Sequence, residues 1–296
     1  MNAITAAAST GSPASTVSCR AIAGADVEGV IDLLVEGFPE RPRAYWERGF
    51  ARMRARPAID DFPRYGYLLV LDGVMTGCIL LIMSREADGT PRGNVSSWYV
   101  RPQAGFLANM LVSKVFQKKS LTITNISPAP HTVPMLEAQG YRRFVGGQML
   151  CLPALSWRGN FARVKRVDAN GRGTESLSPF EADLMTRHAG DGCLALVVGE
   201  GAGAEPFVFA RSLILGNKVP AAHLLWCRDL EAFTQRAGAL GHWLFLHGIL
   251  AVVTDTDTKL RLVGSLRQNR APKFFRGPTK PRLGDLADTE LAIFGA

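Results

Sequence analysis

The segment that enters a helix after Val100 carries the residues best suited to hold an anion. Its pattern predicts a strand over Asn94–Val100, a short loop over Arg101–Phe106 and a helix over Leu107–Lys119. The first N–H groups of a helix have no partner inside the helix, and they carry a partial positive charge. A strand that opens into a helix through a short loop can therefore bind a phosphate with its backbone. An ordinary strand-to-helix turn is the alternative for the same residues.

A second strand and helix follow directly, over Leu121–Ile126 and His131–Gln139, with Gly140 and Tyr141 closing the helix. Two strand–helix pairs in this order resemble the acyl-CoA-binding core of the GNAT superfamily of N-acyltransferases. The resemblance implies an α+β fold with a mixed sheet. It also implies acetyl-CoA or another acyl-CoA as co-substrate and transfer of the acyl group to an amine.

The loop matches part of the superfamily's pyrophosphate motif, Gln/Arg-x-x-Gly-x-Gly/Ala after a strand that ends Val-x-Pro. Val100-Arg101-Pro102 matches the strand ending, Gln103 and Ala108 match the loop, and Phe106 stands where glycine is expected. Glycine lets the backbone approach a phosphate without a Cβ, so neighbouring Gly105 is expected to supply that freedom. Loop N–H groups would then hold the pyrophosphate, and strand amides near Trp98 would pair with the pantetheine arm. The binding residues implied by the resemblance are Trp98, Tyr99, Val100, Gln103, Gly105, Phe106, Leu107, Ala108, Asn109, Asn125 and Ser127.

The helix after the second strand fits a later superfamily motif that ends Tyr-Glu-x-x-Gly-Phe. Glu137, Gly140 and the aromatic Tyr141 match it. The tyrosine that often protonates the departing CoA thiolate falls at Leu136, which cannot donate a proton. Because a free thiol has a pKa of about 8.5, the thiolate can also leave without an acid.

Acyl transfer to an amine requires the neutral amine, and hence a base of near-neutral pKa within reach. The catalytic candidates are His131, Tyr99 and Glu86, with Asn125 also considered and Ser127 as a hydrogen-bonding group. His131 follows Pro-Ala-Pro at a helix start, where the helix N-terminus favours a neutral imidazole. A surface or capping histidine is the alternative interpretation.

The composition excludes several classes of protein. With 47% hydrophobic and 20% charged residues, a chain of 296 residues can bury two cores. Its net charge of +8 is spread over both halves, which argues against a nucleic-acid-binding arm. No apolar run approaches the ~18 residues of a membrane span. The uncharged Ala/Ser/Thr-rich residues 1–16 predict a disordered tail without a signal peptide, and hence a cytoplasmic protein.

Neither the cysteines nor the histidines indicate a metal site. The 5 cysteines are dispersed along the chain, which suits reduced core thiols. His242 and His247 stand five positions apart and do not share a helix face. A cluster of arginines is compatible either with a solvated helical face or with attraction of an anionic ligand. Its members are Arg41, Arg43, Arg48, Arg52, Arg54, Arg56 and Arg64.

The order of elements extends the resemblance to the whole chain. The first half reads strand, two helices, hairpin, strand, helix, strand, helix, strand. Asp72-Gly73 marks the hairpin turn, and Arg142–Leu152 is the last strand. The second half repeats this order in outline, with one helix over Leu230–His247 and a late strand over Leu260–Leu266. We therefore expect two tandem GNAT-like domains, residues 17–155 and 156–296, each with a twisted, mostly antiparallel sheet, a central parallel splay and flanking helices.

The second half is not expected to bind CoA. Asp229 and Glu231 lie at the helix start where a pyrophosphate would sit, and like charges disfavour it. The basic, aromatic segment from Lys273 is either a core strand or a wall of the acceptor pocket. The sequence thus predicts an acyl-CoA-dependent N-acyltransferase that transfers directly to a small-molecule amine. The alternative is a non-catalytic acyl-CoA-binding or interaction protein, motivated by Phe106 and Leu136.

Overall fold

The computed structural model of the chain describes residues 15–159 and 161–295, so most of the tail predicted over residues 1–16 lies outside the described residues. The strands are β1 (Val17–Ala21), β2 (Gly66–Leu71), β3 (Val74–Arg85), β4 (Pro91–Val100), β5 (Thr122–Asn125), β6 (Arg142–Val145), β7 (Gly147–Cys151), β8 (Val164–Arg166), β9 (Leu194–Val198), β10 (Glu205–Ile214), β11 (Val219–Cys227), β12 (Ala251–Thr256), β13 (Leu266–Gln268) and β14 (Lys273–Arg276). The helices are α1 (Val27–Gly37), α2 (Arg43–Ala55), α3 (Ala108–Val115), α4 (Val133–Ala138), α5 (Pro179–Gly190), α6 (Leu230–Gln235), α7 (Ala237–Leu246) and α8 (Glu290–Ile293). None of the described helices is long and apolar enough to cross a membrane.

These strands form two mixed sheets of 7 strands each, in the orders β1-β2-β3-β4-β5-β14-β6 and β13-β7-β12-β11-β10-β9-β8. Each sheet is mostly antiparallel and contains one parallel pair at its centre, β4 with β5 and β11 with β12. The predicted α+β fold, with two GNAT-like sheets and a central parallel splay in each, is confirmed. The Asp72-Gly73 turn between β2 and β3 is also confirmed, since both residues have positive φ (51° and 78°), as a type I′ turn requires.

The two sheets exchange a strand. β14 comes from the second half of the chain but lies between β5 and β6 of the first sheet. β7 comes from the first half but lies between β12 and β13 of the second sheet. The sheets therefore do not divide at residues 155 and 156, and the domain boundary stays a prediction.

The strand predicted over Arg142–Leu152 is wrong, because the chain passes from one sheet to the other within it. Arg142–Leu152 is not one strand, because β6 ends at Val145 and β7 begins at Gly147 in the other sheet. The chain crosses at Gly146, whose N–H donates to Asp257 Oδ1 at 2.6 Å. At Gly147 a Cβ would lie 2.5 Å from the carbonyl oxygen of Gln268, so only glycine allows this close approach.

Three further element predictions were wrong in their bounds. The first helix after the loop ends at Val115, not Lys119, and the helix predicted over Leu230–His247 is broken into α6 and α7 at Arg236. Leu260–Leu266 is a loop that only reaches β13 at its end. These segments have apolar residues at suitable spacing, but their tertiary neighbours decide where each element stops.

The first sheet has a helical layer on each face. The α1–α2 face packs Ile31, Trp46 and Phe50 against residues of β3, together with Phe294 from the C-terminus. The opposite face packs Leu111 of α3 and Leu136 of α4 against β3, β4 and β5. This layering leaves the diverging ends of β4 and β5 between two sets of helices.

Candidate active site

The first sheet opens between its two central strands. β4 and β5 are paired in parallel only over residues 92–94 and 122–124, although β4 continues to Val100. Beyond Asn94 and Thr124 the strands diverge and leave a V-shaped gap, which we call the first splay. Its closed end lies at Asn94 and Thr124, and its open end faces the loop that leads into α3. The exposed edges of diverging strands offer backbone N–H and C=O groups to a ligand.

A β-bulge lies on β4 inside this gap. Ile79 pairs with Trp98 and Leu80 pairs with Ser96, so Ser97 is an extra residue, and its φ of 25° is positive. The bulge resets the alternation of side chains along the strand. After it, Trp98 joins the cluster on the α3–α4 face and Tyr99 joins the cluster on the α1–α2 face. The indole N–H of Trp98 is buried without a hydrogen-bond partner in the described part of the chain.

The predicted pyrophosphate loop forms a 3₁₀ helix over Pro102–Leu107 before α3 begins at Ala108. Ala104 is buried and anchors it, whereas Gln103, Gly105 and Asn109 are exposed and Phe106 is 76% exposed. The N–H groups of Ala104 and Ala108 donate to the carbonyl oxygens of Arg101 and Gly105. Nothing lies within 4 Å of a Cβ built on Gly105, so the surface there is open.

Tyr99 is held at the open end of the gap by charged neighbours. Its hydroxyl donates to Glu36 Oε1 at 3.0 Å, and Arg101 binds the same carboxylate at 2.7 Å. Partial burial and the hydrogen bond to Glu36 raise the pKa of Tyr99. Gly37 makes room for the ring, because a Cβ there would lie 2.4 Å from Tyr99 Cγ. A protonated phenol that already donates its hydrogen bond to Glu36 is better suited to orient a ligand than to remove a proton.

His131 lies on a 3₁₀ turn, Pro130–Thr132, just before α4, and is exposed to solvent. Asn125 ends β5, and Ser127 follows it on the diverging chain. Leu136, at the position of the superfamily's proton-donating tyrosine, is buried in the core beside Tyr141. The chain after β5 therefore carries Asn125 and Ser127 from the end of the strand, and His131 follows them on the exposed turn before α4.

Glu86 lies at the opposite end of β4 from Tyr99. It precedes Pro91, and the eight positions from Pro91 to Tyr99 span roughly 25 Å of strand. The Glu86 carboxylate contacts Arg92 at 2.7 Å and lines a cavity of about 320 Å³. Burial raises the pKa of Glu86 to about 7, despite the adjacent Arg92 guanidinium. The structure therefore does not bring Glu86 and Tyr99 into one site.

The residue that sequence reasoning missed is Glu290. It is the first residue of α8, yet its carboxylate lies at the closed end of the first splay. Asn94 Nδ2 on β4 donates to Glu290 Oε2 at 2.5 Å, and Ser127 Oγ donates to Glu290 Oε1 at 2.5 Å. The sequence carries no local signal for this contact, because Asn94 and Glu290 are 196 positions apart.

Two neighbouring carboxylates hold the segment that carries Glu290. Asp285 forms an ion pair with Arg92, at 3.1 Å. Asp288 pairs with Arg56 at 2.5 Å and with Arg187 at 3.0 Å, and these arginines lower the pKa of Asp288. Of the arginine cluster, Arg56 therefore belongs to this buried ion-pair network. Arg43 instead pairs with three surface carboxylates, Glu28, Asp32 and Glu47.

The second sheet has its own splay between β11 and β12, but its helix start differs. The Asp229 carboxylate caps α6 by accepting the N–H of Ala232 at 2.6 Å. That carboxylate stands where an anion would bind, which is the physical basis for expecting no CoA there. No cluster of three or more potential metal-binding side chains occurs among residues 15–159 and 161–295.

Solved structures of other proteins share this fold. No protein-family model and no curated protein matches the sequence. A GCN5-related N-acetyltransferase from Anabaena variabilis ATCC 29413 superposes with a TM-score of 0.60 at 9% identity, over 88% of this chain and 72% of that one. One from Kribbella flavida gives 0.51 at 11% identity, over 88% and 71%. The glucosamine N-acetyltransferase region of a fungal multi-domain GH3 β-N-acetylglucosaminidase gives 0.53 at 11%, over 88% and 38%.

At these identities the likeness defines the fold and not the substrate. The chain has the fold of the GCN5-related N-acetyltransferases over most of its length, as the resemblance in the loop and helix motifs implied.

Proposed function

We propose that the protein is an acyl-CoA-dependent N-acyltransferase that uses the first splay. The observation that carries the proposal is the bulged strand β4, which diverges from β5 and points its open end at the start of α3. The free strand edge offers hydrogen bonds to the amide groups of a pantetheine arm. A ligand in this gap would satisfy the buried indole N–H of Trp98, which has no hydrogen-bond partner among the described residues.

The acyl-CoA would enter along β4 from the open end. Strand groups of Trp98, Tyr99 and Val100 would contact pantetheine, and Asn125 and Ser127 would line the opposite wall. The pyrophosphate would lie against the loop and the first turn of α3, where exposed Gly105 leaves the backbone accessible. The loop residues in this role are Gln103, Gly105, Phe106, Leu107, Ala108 and Asn109. Phe106, largely exposed, would cover the ligand from the solvent side.

The reaction would be direct attack of an acceptor amine on the thioester carbon, without a covalent enzyme intermediate. Of the sequence-derived candidates, Tyr99 lies on β4 at the open end of the gap, His131 lies on the turn before α4, and Glu86 lines a separate cavity on the sheet. Because Leu136 is buried and apolar, the CoA thiolate leaves either unaided or with a proton from the attacking amine.

Calorimetry with acetyl-CoA tests the assignment, supported by melting curves. A ligand at ~100 times its dissociation constant adds about 2.7 kcal/mol of stability. Gly105→Asp and Ala108→Asp place a carboxylate against the pyrophosphate and should abolish binding. Asp229→Ala and Glu231→Ala, at the equivalent helix start of the second half, serve as matched controls and should leave affinity unchanged. If no acyl-CoA binds to the parent protein, the proposed acyl-CoA-dependent function is refuted.

A second candidate function is non-catalytic binding of acyl-CoA. It is favoured by Phe106 in place of a loop glycine and by Leu136 in place of an acid. Incubation of the acetyl-CoA complex with a panel of amino acids, polyamines and amino sugars separates the two functions. Release of CoA thiol together with an acetylated amine supports the enzyme, whereas binding without transfer to any amine favours the second function.

A further inference from the structure

The strongest unassigned feature is the carboxylate of Glu290 at the closed end of the first splay. It spans the two diverging strands, because one oxygen accepts from Asn94 on β4 and the other from Ser127 beyond β5. An acyl-CoA that entered along β4 from the open end, as proposed above, would point its acyl group towards this carboxylate. Among the side chains the structure describes there, Glu290 offers the acceptor site a proton-accepting group.

The surroundings of Glu290 fix its orientation. Asn94 is itself held by Thr124, whose hydroxyl donates to Asn94 Oδ1 at 2.9 Å. This leaves the Asn94 amide N–H free to donate to Glu290, so the amide cannot rotate without losing a bond. On the other side, Phe294 lies one turn after Glu290, and its N–H donates to the Glu290 carbonyl at 2.8 Å. Packing and hydrogen bonds therefore hold the carboxylate in one place, as a reacting group requires.

The charged and titratable groups around Glu290 come from several elements. Lys273 of β14 and Tyr45 of α2 interact with it electrostatically, and Asn94 and Ser127 bind it directly. Burial raises the pKa of Glu290, while the bonds from Ser127 and Asn94 and the charge of Lys273 oppose that rise. A carboxylate with a raised pKa is a stronger base than an exposed one, and such groups are common where proton transfer occurs.

We propose that Glu290 is the catalytic base of the first splay and that Asn94 and Ser127 position it; this rests on the proposed acyltransferase function. The α8 helix belongs to neither sheet. Ala292 packs in a cluster formed by residues of both halves, and Ile293 packs in the core of the first half. The catalytic base of the first splay is thus supplied by the C-terminal helix α8, which contacts both halves of the chain.

In this reaction the acceptor nitrogen gives one proton to Glu290 and a second to the departing thiolate. The acceptor enters as an ammonium and gives one proton to Glu290. Its nitrogen lone pair attacks the thioester carbon, so a C–N bond forms, and the tetrahedral intermediate then breaks its C–S bond. The thiolate leaves with the electron pair of that bond and takes the second proton from nitrogen, which gives the amide and the CoA thiol. Glu290 finally releases its proton to water.

The test compares Glu290→Gln with Glu181→Gln, using the full chain. Both glutamates lie in the first turn of a helix and are 8% exposed, and glutamine at position 181 preserves the capping box with Ser178. Glu290→Gln should bind acetyl-CoA with unchanged affinity, lower turnover roughly a hundredfold and remove the acidic limb of the pH–rate profile. Glu181→Gln should keep the parent's turnover and profile.

Two results would overturn the proposal while leaving the acyltransferase function intact. One is a Glu290→Gln protein with parental turnover and pH profile. The other is loss of the acidic limb in Glu86→Gln instead of Glu290→Gln, which would assign the base to the cavity at the far end of β4. Failure of acetyl-CoA to bind the parent would instead refute the proposed function itself.

A measurement that needs no acceptor gives an independent result. Infrared titration should reveal a carboxyl band that is missing in Glu290→Gln and that shifts when acetyl-CoA binds, because the acyl end changes the polarity around that group. Glu181→Gln should retain the band. A Glu290 band that does not respond to saturating acetyl-CoA would show that the carboxyl group is remote from the reacting centre.

Discussion

Gly49→Ala probes the packing that places Glu290. Gly49 lies in α2 beneath the C-terminal segment, and a Cβ there would lie 1.8 Å from Phe294 Cε1 and 2.0 Å from Cδ1. The Phe294 ring cannot simply rotate away, because it lies between Tyr45 (5.4 Å between centroids) and Trp46 (5.6 Å). The added methyl group must therefore push Phe294, and with it α8, away from the sheet.

The magnitude follows from two opposing effects. Overpacking of this kind costs about 1–3 kcal/mol, and replacing glycine by alanine inside a helix offsets about 1 kcal/mol of that. Gly49→Ala should therefore lose up to about 2 kcal/mol of stability. Gly190→Ala at the end of α5 is the matched control, since its Cβ would meet only Ala169 at 3.9 Å. That control should keep or gain stability.

Activity should respond more strongly than stability. Phe294 lies one helical turn from Glu290, and a displacement of about 1 Å at a reacting group can lower the rate roughly a hundredfold. We expect Gly49→Ala to bind acetyl-CoA normally and to transfer slowly. Adding Phe294→Ala should relieve the clash, so the double variant should be more stable than the sum of the single losses predicts. Additive losses, or a Gly49→Ala protein as stable and active as Gly190→Ala, would refute this packing argument.

Three further predictions concern titration and reactivity. Arg56 and Arg187 lower the pKa of Asp288, so the ionised carboxylate stabilises the fold fully above about pH 4, and this contribution is lost as the pH falls below that value. In denaturant unfolding, Asp288→Asn should lower the free energy of unfolding at pH 7 and have little effect on it in strong acid. Burial raises the pKa of Glu290, so its ionisation opposes folding increasingly above about pH 4.3, and Glu290→Gln should gain stability relative to the parent as pH rises. A thiol reagent should modify the partly exposed Cys19 in the native protein and the remaining thiols only after unfolding. Those with a pKa raised by burial to about 12 are Cys78, Cys151, Cys193 and Cys227.

Local patterns predicted the elements that depend on local chemistry. The Asp72-Gly73 turn, the two helices before it and the divergence of two parallel strands all follow from spacing, turn residues and the order of elements. The start of α3 was predicted to within one residue, since Leu107 and Ala108 are adjacent. The site's backbone framework was therefore accessible from the sequence.

The bulge and the base were not predictable in the same way. Ser97 has no glycine or proline signal, and its positive φ arises from pairing with β3. Glu290 reads as an ordinary helix-start carboxylate, and only the folded chain places it against Asn94. Periodicity reports which face of an element is buried, but it does not report which distant segment covers that face.

The strand exchange makes the two halves depend on each other. β14 separates β5 from β6 in the first sheet, and β7 pairs with β12 and β13 in the second, so residues 17–155 alone would leave edges of β5, β6 and β7 unpaired. The same truncation would remove Asp285, Asp288 and Glu290, and with them the ion pairs that hold Arg92 and Arg56. Sequence order suggests one acyl-CoA-binding domain followed by a degenerate copy. The connections show that the second half also completes the first, because it contributes a strand of the first sheet and the segment that closes its splay.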